Sequence, residues 1–470
     1  MPLPAEPLPE GFDPQEYLDS LEPVGWRLGL DRMWKLSTAL GLPQRRFASV
    51  HVVGTNGKSS VTRMIAALLE AHGVTSGACL SPHTSRWTER TLVRGEEIAP
   101  QAWAEAVAQV AAAAAGVNRT LDDDDAVTEF EAATAATFVA LARARVKAAV
   151  IEAGLGGRLD ATNTIPSRVT VLTSIGLDHT EWLGETELEI AAEKLAVLRD
   201  QSILVLGRVS EEVRGLAERV AGERSATLIV APEDPGPEVE LAASGPFQRR
   251  NFALAVAAAE AFLGSVDRER VATVAAGLIV PGRLELIADR PPTYVDAAHN
   301  PDGAAALAEA LPALAEGRPI VACLAMLADK DAPAMIAALA PVLRAAVCTE
   351  IPPQALVGHG RPGARSRPAQ ELADLCQAHG LEATAEPNLE PALRRATELA
   401  CGTTAGLLLV TGSHYLIGPA RAAQGALSGL CEDSCMDRSA GSELLSMMAL
   451  VAAVVAIVIL VFFGVGYLFG

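Results

Sequence analysis

Basic residues and aromatic side chains are both scarce in this chain of 470 residues. Lys and Arg number 38 against 57 Asp and Glu, so the formal net charge at pH 7 is −19. A surface of that sign repels phosphate backbones and argues against nonspecific binding to nucleic acid. Aromatic residues make up only 4% of a chain that is 50% hydrophobic. Alanine supplies much of the apolar remainder, which favours a protein rich in helices.

Cysteine is sparse as well, with 7 residues along the chain. Their scattered positions favour reduced thiols in a cytosolic protein over a disulfide framework. Cys431 and Cys435 form a C-x3-C pair without a second pair of ligands, so a metal site is not expected there. The first residues are acidic and rich in proline, without an apolar stretch, so no secretory signal is expected.

Charge is missing altogether from the last part of the chain. No charged residue follows Glu443, and the segment is mostly apolar. A helix needs about 20 such residues to cross the hydrocarbon core of a bilayer. We therefore expect a transmembrane helix over 444–469, preceded by a polar linker over 423–443. A buried core helix is the alternative, although core helices of this length usually keep a polar face.

A glycine-rich segment near the start of the chain suits phosphate binding. It reads GTNGKSS from Gly54 to Ser60, after the apolar run 47–53 and before an amphipathic stretch over 60–72. Strand, glycine loop and helix in this order form the setting of a P-loop, in which backbone N–H groups and a lysine bind phosphate and a hydroxyl binds Mg²⁺. The two glycines stand closer than in G-x-x-x-x-G-K-[ST], and an ordinary turn with a surface lysine is the alternative.

Other segments place reactive side chains at the ends of predicted strands or on a predicted helix. They are Glu152, His179, Lys194, Arg283 and Asp296. A carboxylate that ends a strand before a glycine-rich loop suits a hard cation, and a strand-end Asp commonly accepts ribose hydroxyls. Taken singly, each residue also has an ordinary alternative as a solvated carboxylate, a structural histidine, a surface cation or a capped strand end.

Strand and helix patterns alternate in two blocks, which predicts an α/β protein with two doubly wound sheets. The predicted strands are 47–53, 75–80, 148–152, 169–174, 203–206, 293–296, 320–324, 345–350 and 407–411. We expect an N-terminal extension over 1–45 and a P-loop ATPase-type sheet domain over 46–282. A smaller C-terminal Rossmann-like domain is expected over 283–422. Ligands of such sheets lie at the carboxyl ends of the strands.

Together and in this order, the motifs resemble those of the folylpolyglutamate synthase / dihydrofolate synthase family of the Mur ligase superfamily. The resemblance runs from about Tyr17 to Arg421. The motifs are GTNGK, Ser81-Pro82-His83 with Glu89-Arg90, Phe130-Glu131, GLGGRLDATN, LDHTEWLG, PGRLE, DAAHNPDG and Asp329-Lys330-Asp331. The run GLGGRLDATN followed by DHTEWLG separates this family from the ligases of peptidoglycan precursors.

The resemblance implies an ATP-dependent acid–amino-acid ligase, and a bifunctional one is expected. In this family ATP phosphorylates the carboxylate of dihydropteroate or of a folate, and the amine of L-glutamate then attacks the acyl phosphate. The resemblance also implies two Mg²⁺ ions and a carbamylated Lys194. Loss of a proton from this ammonium and reaction of the free amine with CO₂, which releases a second proton, would give a carbamate anion that can hold or orient the second magnesium.

The same resemblance assigns site residues one by one. Lys58, His179 and Lys194 are expected to act in catalysis. ATP contacts are implied for Gly54, Thr55, Asn56, Gly57, Lys58, Ser59, Ser60, Asn251, Arg283, Asp296 and His299. Magnesium ligands are implied at Ser60, Ser81, Glu152 and His179, with Ser59 as the alternative to Ser60. Pterin contacts are implied for Trp26, Arg27, Leu28, Gly29, Thr128, Phe130, Glu131, Leu159, Asp160 and Ala161.

Three positions depart from the family pattern. Ser59 stands where glycine is common, Leu195-Ala196-Val197 replaces Ala-Gly-Ile after Lys194, and Thr84 replaces a leucine. Two other functions stay open: a Mur-type ligase acting on another carboxylate acceptor, and a membrane-tethered nucleotide-binding protein without ligase activity. We expect a monomer whose partners are ATP, L-glutamate, the acceptor and the membrane, with no nucleic acid. The catalytic domains are expected in the cytoplasm, anchored to the cell membrane by the C-terminal single-pass helix.

Overall fold

The computed structural model describes five stretches of the chain, residues 8–21, 29–122, 124–356, 363–402 and 406–423. The predicted pterin contacts Trp26, Arg27 and Leu28, the predicted transmembrane helix and nearly all of the predicted linker lie outside these stretches.

The first part of the described chain forms an eight-stranded sheet. Its strands are β1 (Ala48–Val53), β2 (Ser76–Cys79), β3 (Thr91–Val93), β4 (Glu96–Glu97), β5 (Ala148–Glu152), β6 (Ser167–Leu172), β7 (Ile203–Leu206) and β8 (Thr227–Val230). Their order in the sheet is β4-β3-β2-β5-β1-β6-β7-β8. In this order, neighbouring strands pair in parallel from β2 through β5, β1, β6 and β7 to β8, whereas β3 and β4 form an antiparallel edge beside β2.

The second part forms a six-stranded sheet. Its strands are β9 (Glu285–Asp289), β10 (Pro292–Val295), β11 (Ile320–Leu324), β12 (Ala345–Cys348), β13 (Glu382–Ala385) and β14 (Leu407–Thr411). The order is β13-β12-β11-β14-β10-β9, and only the β9–β10 pair is antiparallel. The two predicted doubly wound sheets are therefore present.

Helices cover the sheets and the N-terminal side of the first domain. In chain order they are α1 (Pro14–Ser20), α2 (Asp31–Ala39), α3 (Lys58–Ala71), α4 (Pro100–Asn118), α5 (Glu129–Arg143), α6 (Thr180–Leu183), α7 (Glu187–Leu195), α8 (Glu211–Glu223), α9 (Pro246–Leu263), α10 (Arg268–Gly277), α11 (Pro301–Ala315), α12 (Ala332–Leu339), α13 (Pro353–Leu356), α14 (Ala369–Ala378), α15 (Leu389–Gly402) and α16 (Ile417–Ala422).

Burial on both faces explains why the central strands are continuous apolar runs. β1 lies between β5 and β6, and Val50, Val52 and Val53 are 0% exposed. A parallel strand covered on both sides by helices needs no polar face. Because β1, β5 and β6 run parallel, their carboxyl ends share one edge of the sheet. At this edge the P-loop follows β1, and the loop after Glu152 follows β5.

The predicted membrane anchor is corrected. No helix within the described residues combines the length and the apolar character that a bilayer span requires. The longest of them, α4, has 19 residues but carries Glu105 and Gln109 and packs against α5. The described fold is therefore two α/β domains without a transmembrane helix, and the predicted membrane-anchored location has no support from it.

The thiol prediction holds for four cysteines and fails for one. Cys79, Cys323, Cys348 and Cys376 are free and buried. Cys401, at the end of α15, is disulfide-bonded, contrary to the expectation of reduced thiols throughout.

Candidate active site

A cavity of about 280 Å³ lies between the two domains, and it is lined by loops that follow the strands. Residues after β1, β2, β5 and β6 line it from the first domain, and residues after β10, β11 and β14 line it from the second. The predicted site residues that line it are Gly29, Gly54, Thr55, Asn56, Gly57, Lys58, Ser59, Ser81, Thr128, Phe130, Glu131, Glu152, Leu159, Asp160, Ala161, His179, Lys194, Arg283 and His299.

The P-loop has the backbone that phosphate binding requires. Gly57 has φ +85°, and a Cβ there would lie 2.7 Å from the Asn251 Oδ1 atom, so glycine is needed on both counts. Lys58 begins α3, and its ammonium donates to the carbonyls of Gly54 at 3.1 Å and Thr55 at 3.2 Å. Burial lowers the pKa of Lys58, against the opposing charges of Glu152 and Asp178. The lysine is thus folded over an anion-binding loop.

Glu152 is the centre of a group of oxygen ligands beside the P-loop. One carboxylate oxygen accepts from the Ser59 hydroxyl at 2.8 Å, and the other accepts from the Ser81 backbone N–H at 3.1 Å. Burial raises the pKa of Glu152, while the Lys58 charge and the serine hydrogen bonds oppose that rise. Ser60 is 1% exposed and does not line the cavity, so Ser59 is the serine placed beside Glu152.

This group fits a magnesium ion that is bound partly by phosphate. Mg²⁺ usually takes one or two carboxylates, keeps several waters and binds substrate phosphate oxygens. Glu152, the Ser59 hydroxyl and the neighbouring lining residue Ser81 provide such a set beside Lys58. No group of three or more His, Cys, Asp or Glu side chains placed to hold a metal occurs within the described part of the chain.

Lys194 is a buried amine rather than a surface lysine. It lies near the end of α7, is 4% exposed and lines the cavity. Burial, assisted by the positive charge of Lys58, lowers its pKa to about 7. A large fraction of this side chain is therefore an uncharged amine near neutral pH, the form that reacts with CO₂.

Asp178 collects donors from both domains. Lys330 approaches its Oδ1 atom at 2.6 Å, and the Asn300 amide donates to its Oδ2 atom at 3.1 Å. His179 follows in a left-handed conformation, with φ 52°, and its backbone N–H donates to Asp178 at 3.0 Å. Burial would raise the pKa of Asp178, but the hydrogen bond and charge of His299 and the charges of His179 and Lys330 hold it far below its usual range.

A second contact joins the P-loop to the other domain. The side-chain amides of Asn56 and Asn300 donate to each other at 3.3 and 3.0 Å. Asn300 is also the N-cap of α11, where its side chain accepts from the Gly303 N–H. The start of α11 is therefore fixed against the phosphate-binding loop.

Asp296 stabilises two of the loops beside the cavity through hydrogen bonds to their backbone. Both of its oxygens accept backbone N–H groups, from Leu284 at 2.9 Å and from Ala298 at 2.8 Å. Burial raises the pKa of Asp296, and the Arg283 charge opposes the rise. Neither Asp296 nor Asn251 lines the cavity, whereas Arg283 and His299 do. Asp296 thus holds in place the segments that carry these two residues.

One part of the cavity wall is apolar. Phe130 lies against Gly154, where an added Cβ would meet its ring at 2.4 Å, and Leu155 and Leu159 lie nearby along the lining. Asp160 accepts from the Leu155 N–H at 2.8 Å and from the Thr162 N–H at 2.9 Å. These contacts fix the conformation of the glycine-rich loop after β5, which forms part of the cavity wall.

Several lining residues were not assigned a role from the sequence. Asp178 and Lys330 stand inside motifs that carried the family resemblance, so the signal was present. Arg90 stands in another, and its guanidinium donates to His83 and lies 4.2 Å from the centre of the Trp87 ring. Ser413, His414 and Tyr415 stand in none of these motifs, and only the fold brings the loop after β14 to the cavity.

Comparison with known proteins matches this geometry to one family. The family models described as "Mur ligase middle domain" and "Mur ligase, glutamate ligase domain" match residues 52–230 and 282–414. The dihydrofolate synthase/folylpolyglutamate synthase of Mycobacterium tuberculosis is 34% identical over 362 residues, which cover 68% of this chain and 74% of that protein. The chain belongs to the dihydrofolate synthase/folylpolyglutamate synthase family of Mur ligases.

Solved structures of this family share the fold. The folylpolyglutamate synthase of Mycobacterium tuberculosis complexed with ADP and AMPPCP matches with a TM-score of 0.79 and 31% identity, over 87% of this chain and 97% of that one. A bifunctional folylpolyglutamate synthase/dihydrofolate synthase with Mn, AMPPNP and L-glutamate bound matches with a TM-score of 0.73 and 27% identity, over 89% and 99%. The family assignment and the ligase activity inferred from the sequence are confirmed.

Proposed function

We propose that this ligase adds L-glutamate to dihydropteroate and to reduced folates through an acyl phosphate made with ATP. The observation that carries the proposal is the single cavity in which the P-loop, Glu152 and Lys194 face an apolar wall and the second domain. ATP and a divalent metal ion serve the reaction, as expected of a protein similar to those solved with nucleotide and manganese.

The nucleotide end is assigned from the P-loop. Backbone N–H groups at the start of α3 and the Lys58 ammonium bind the phosphates, and Arg283 of the second domain adds a further cation to the cavity lining. Glu152, Ser59 and Ser81 would hold magnesium, which would neutralise phosphate charge during the transfer. These residues hold the terminal phosphate so that the acceptor carboxylate can attack it in line.

The remaining groups orient the acceptor and control charge. Phe130, Leu159 and Ala161 offer an apolar surface for the ring system of a pterin, and Asp160 offers a carboxylate at its edge. We infer that the Lys194 amine reacts with CO₂, with release of a proton, and so places a further anion in the cavity, which suits a second magnesium. The His179 Nε2 atom lies 3.9 Å from the Asp178 Oδ1 atom, and the residue lines the cavity, where it acts as a further ligand or orienting group.

An acceptor panel tests this proposal. Purified enzyme with ATP, magnesium and L-glutamate is assayed for ADP release with dihydropteroate, with tetrahydrofolate and its one-carbon forms, and with no acceptor. Release that requires glutamate together with a pterin acceptor is the expected result. ADP release that none of these acceptors stimulates would refute the proposal, and preference for a UDP-linked muramyl acceptor would favour the Mur-type alternative.

A further inference from the structure

A buried cation of the N-terminal extension reaches the wall of the cavity. Arg32 lies on α2, three positions after the lining residue Gly29, and is 7% exposed. Its Nε atom lies 3.2 and 3.1 Å from the two carboxylate oxygens of Glu131, and its Nη1 atom donates to Asp125 at 3.1 Å. One guanidinium therefore joins α2 to two carboxylates far along the chain.

Glu131 is held from a second direction as well. It is 4% exposed, and one of its oxygens accepts from the Thr128 N–H at 2.9 Å and from the Thr128 hydroxyl at 3.0 Å. The Thr128 hydroxyl in turn accepts from the Glu131 N–H at 3.3 Å, which completes a capping box at the start of α5. The Glu131 carboxylate thus fixes the first turn of α5 and links that turn to α2.

The two segments that Arg32 joins both line the apolar part of the cavity. Gly29 lines it from the segment before α2, and Thr128 and Phe130 line it from the start of α5. The P-loop and Arg283 account for the nucleotide end, so this part is left for the ring system of the acceptor. The spacing between these segments decides how closely a flat ring is enclosed.

We propose that Arg32 is a positioning residue for the acceptor, which sets the spacing between the Gly29 segment and the first turn of α5 through Glu131 and Asp125. The identity of the acceptor rests on the function proposed above. Arg32 does not line the cavity, so it acts through the carboxylates. A planar guanidinium presents donors in fixed, divergent directions, whereas a lysine ammonium is a single point charge on a flexible stem.

We expect α2 to stay docked when the guanidinium is removed. Met33 and Leu36 on the same helix are 0% exposed and belong to the core that includes Trp103 and Phe138. This apolar contact keeps the helix in place when Arg32 is replaced. The expected effect is therefore a local loss of order at the wall together with a loss of stability, because the buried Glu131 carboxylate is left without its cation, rather than complete unfolding.

The test compares Arg32→Met, Arg32→Lys and Lys35→Met with the unmodified enzyme. Lys35 lies on the same helix, exposed, and donates to the Thr120 carbonyl at 3.3 Å, so it provides a matched loss of charge. Arg32→Met is expected to raise the KM for dihydropteroate roughly tenfold, with the KM for ATP changed less than about twofold. Arg32→Lys is expected to fall between, and Lys35→Met to match the unmodified enzyme.

Hydrogen–deuterium exchange gives a readout that does not depend on activity. Backbone amides of 29–32 and of the first turn of α5 are expected to exchange faster in Arg32→Met than in Lys35→Met. Equal exchange in the two variants would overturn the proposed positioning role, whether or not the enzyme uses a pterin acceptor. So would a fall in kcat that parallels thermal stability while every KM is unchanged. An unmodified enzyme that ignores all pterin acceptors would instead refute the proposed function.

Discussion

The buried histidine before the P-loop has a definite effect on stability. His51 is 0% exposed, and its Nε2 atom lies 2.9 Å from the Thr162 hydroxyl. Burial, with a smaller contribution from the Arg199 charge, lowers its pKa from 6.5 to about 3. Below pH 6.5 the unfolded chain therefore takes up a proton that the folded chain does not accept until about pH 3.

Stability is accordingly expected to fall with pH on the acid side. His51 alone should remove about 2 kcal/mol of unfolding free energy between pH 7 and pH 5. Urea unfolding at both pH values measures this loss, and His51→Gln is expected to lack it. The exposed His379 provides the control, since His379→Gln should keep the pH dependence of the unmodified protein. An unchanged pH dependence in His51→Gln would contradict the assignment.

Lys194 carries a prediction about chemistry rather than stability. Its pKa of about 7 makes the amine available to CO₂ above neutral pH, whereas an arginine at this position stays protonated. Lys194→Arg is expected to lower kcat by roughly a hundredfold or more, the scale of losing one group that stabilises charge in the transition state. The carbamate itself is measured by NMR with carbon-13-labelled bicarbonate. A carbamate signal that persists in Lys194→Arg would disprove the assignment to this residue.

The two glycines at the ends of α3 have similar backbone angles but different surroundings. Gly57 at its start and Gly73 just beyond its end have similar φ angles, +85° and +81°. A Cβ at Gly73 meets nothing within 4 Å, whereas at Gly57 it would lie 2.7 Å from Asn251. Alanine at either position pays backbone strain of about 1–3 kcal/mol, but only Gly57→Ala also displaces a residue beside the P-loop.

ATP binding should therefore distinguish the two substitutions. Gly57→Ala is expected to raise the Kd for ATP at least about tenfold, equivalent to about 1.4 kcal/mol. Gly73→Ala is expected to leave the Kd for ATP within about twofold while it lowers thermal stability. Calorimetric titration with ATP and thermal melts of both variants give the comparison. Equal Kd values in the two variants would show that the close approach to Asn251 does not matter.

Strands that are buried on both faces were predictable, and short or exposed edge strands were not. β5, β7, β11 and β14 begin and end at the predicted residues, because an uninterrupted apolar run marks a covered parallel strand. β4 has two residues, and β8 is partly exposed along its length, so neither carries such a run.

Site residues divide in the same way. The P-loop could be predicted because its glycines, lysine and serines act over a few consecutive positions. The Ser59 hydrogen bond to Glu152 spans 93 positions, and the Lys330 contact with Asp178 spans 152, so only the folded chain settles them. Ser59 lines the cavity and Ser60 does not, since one helical step turns the second side chain away, whereas the choice of magnesium ligand between them stays a prediction.

Ion pairs between the two domains differ in burial, and this difference predicts how much each pair contributes to the free energy of unfolding. Lys330 and Asp178 form a pair whose side chains are 6% and 10% exposed, whereas Arg250 of α9 and Glu309 of α11 pair at 26% and 53%. Removal of one partner from a buried pair costs about 3–5 kcal/mol, because the other charge is left without compensation. An exposed pair contributes about 0–1 kcal/mol.

Lys330→Met is therefore expected to destabilise the joined domains far more than Arg250→Met. His299 and Asn300 still face Asp178, so we expect a loss of at least about 2 kcal/mol rather than the full range for a buried pair, against less than about 1 kcal/mol for Arg250→Met. Urea unfolding measures both losses, and small-angle X-ray scattering without nucleotide shows whether the domains separate. Equal effects of the two substitutions would mean that contacts other than the charges around Asp178 hold the two domains together.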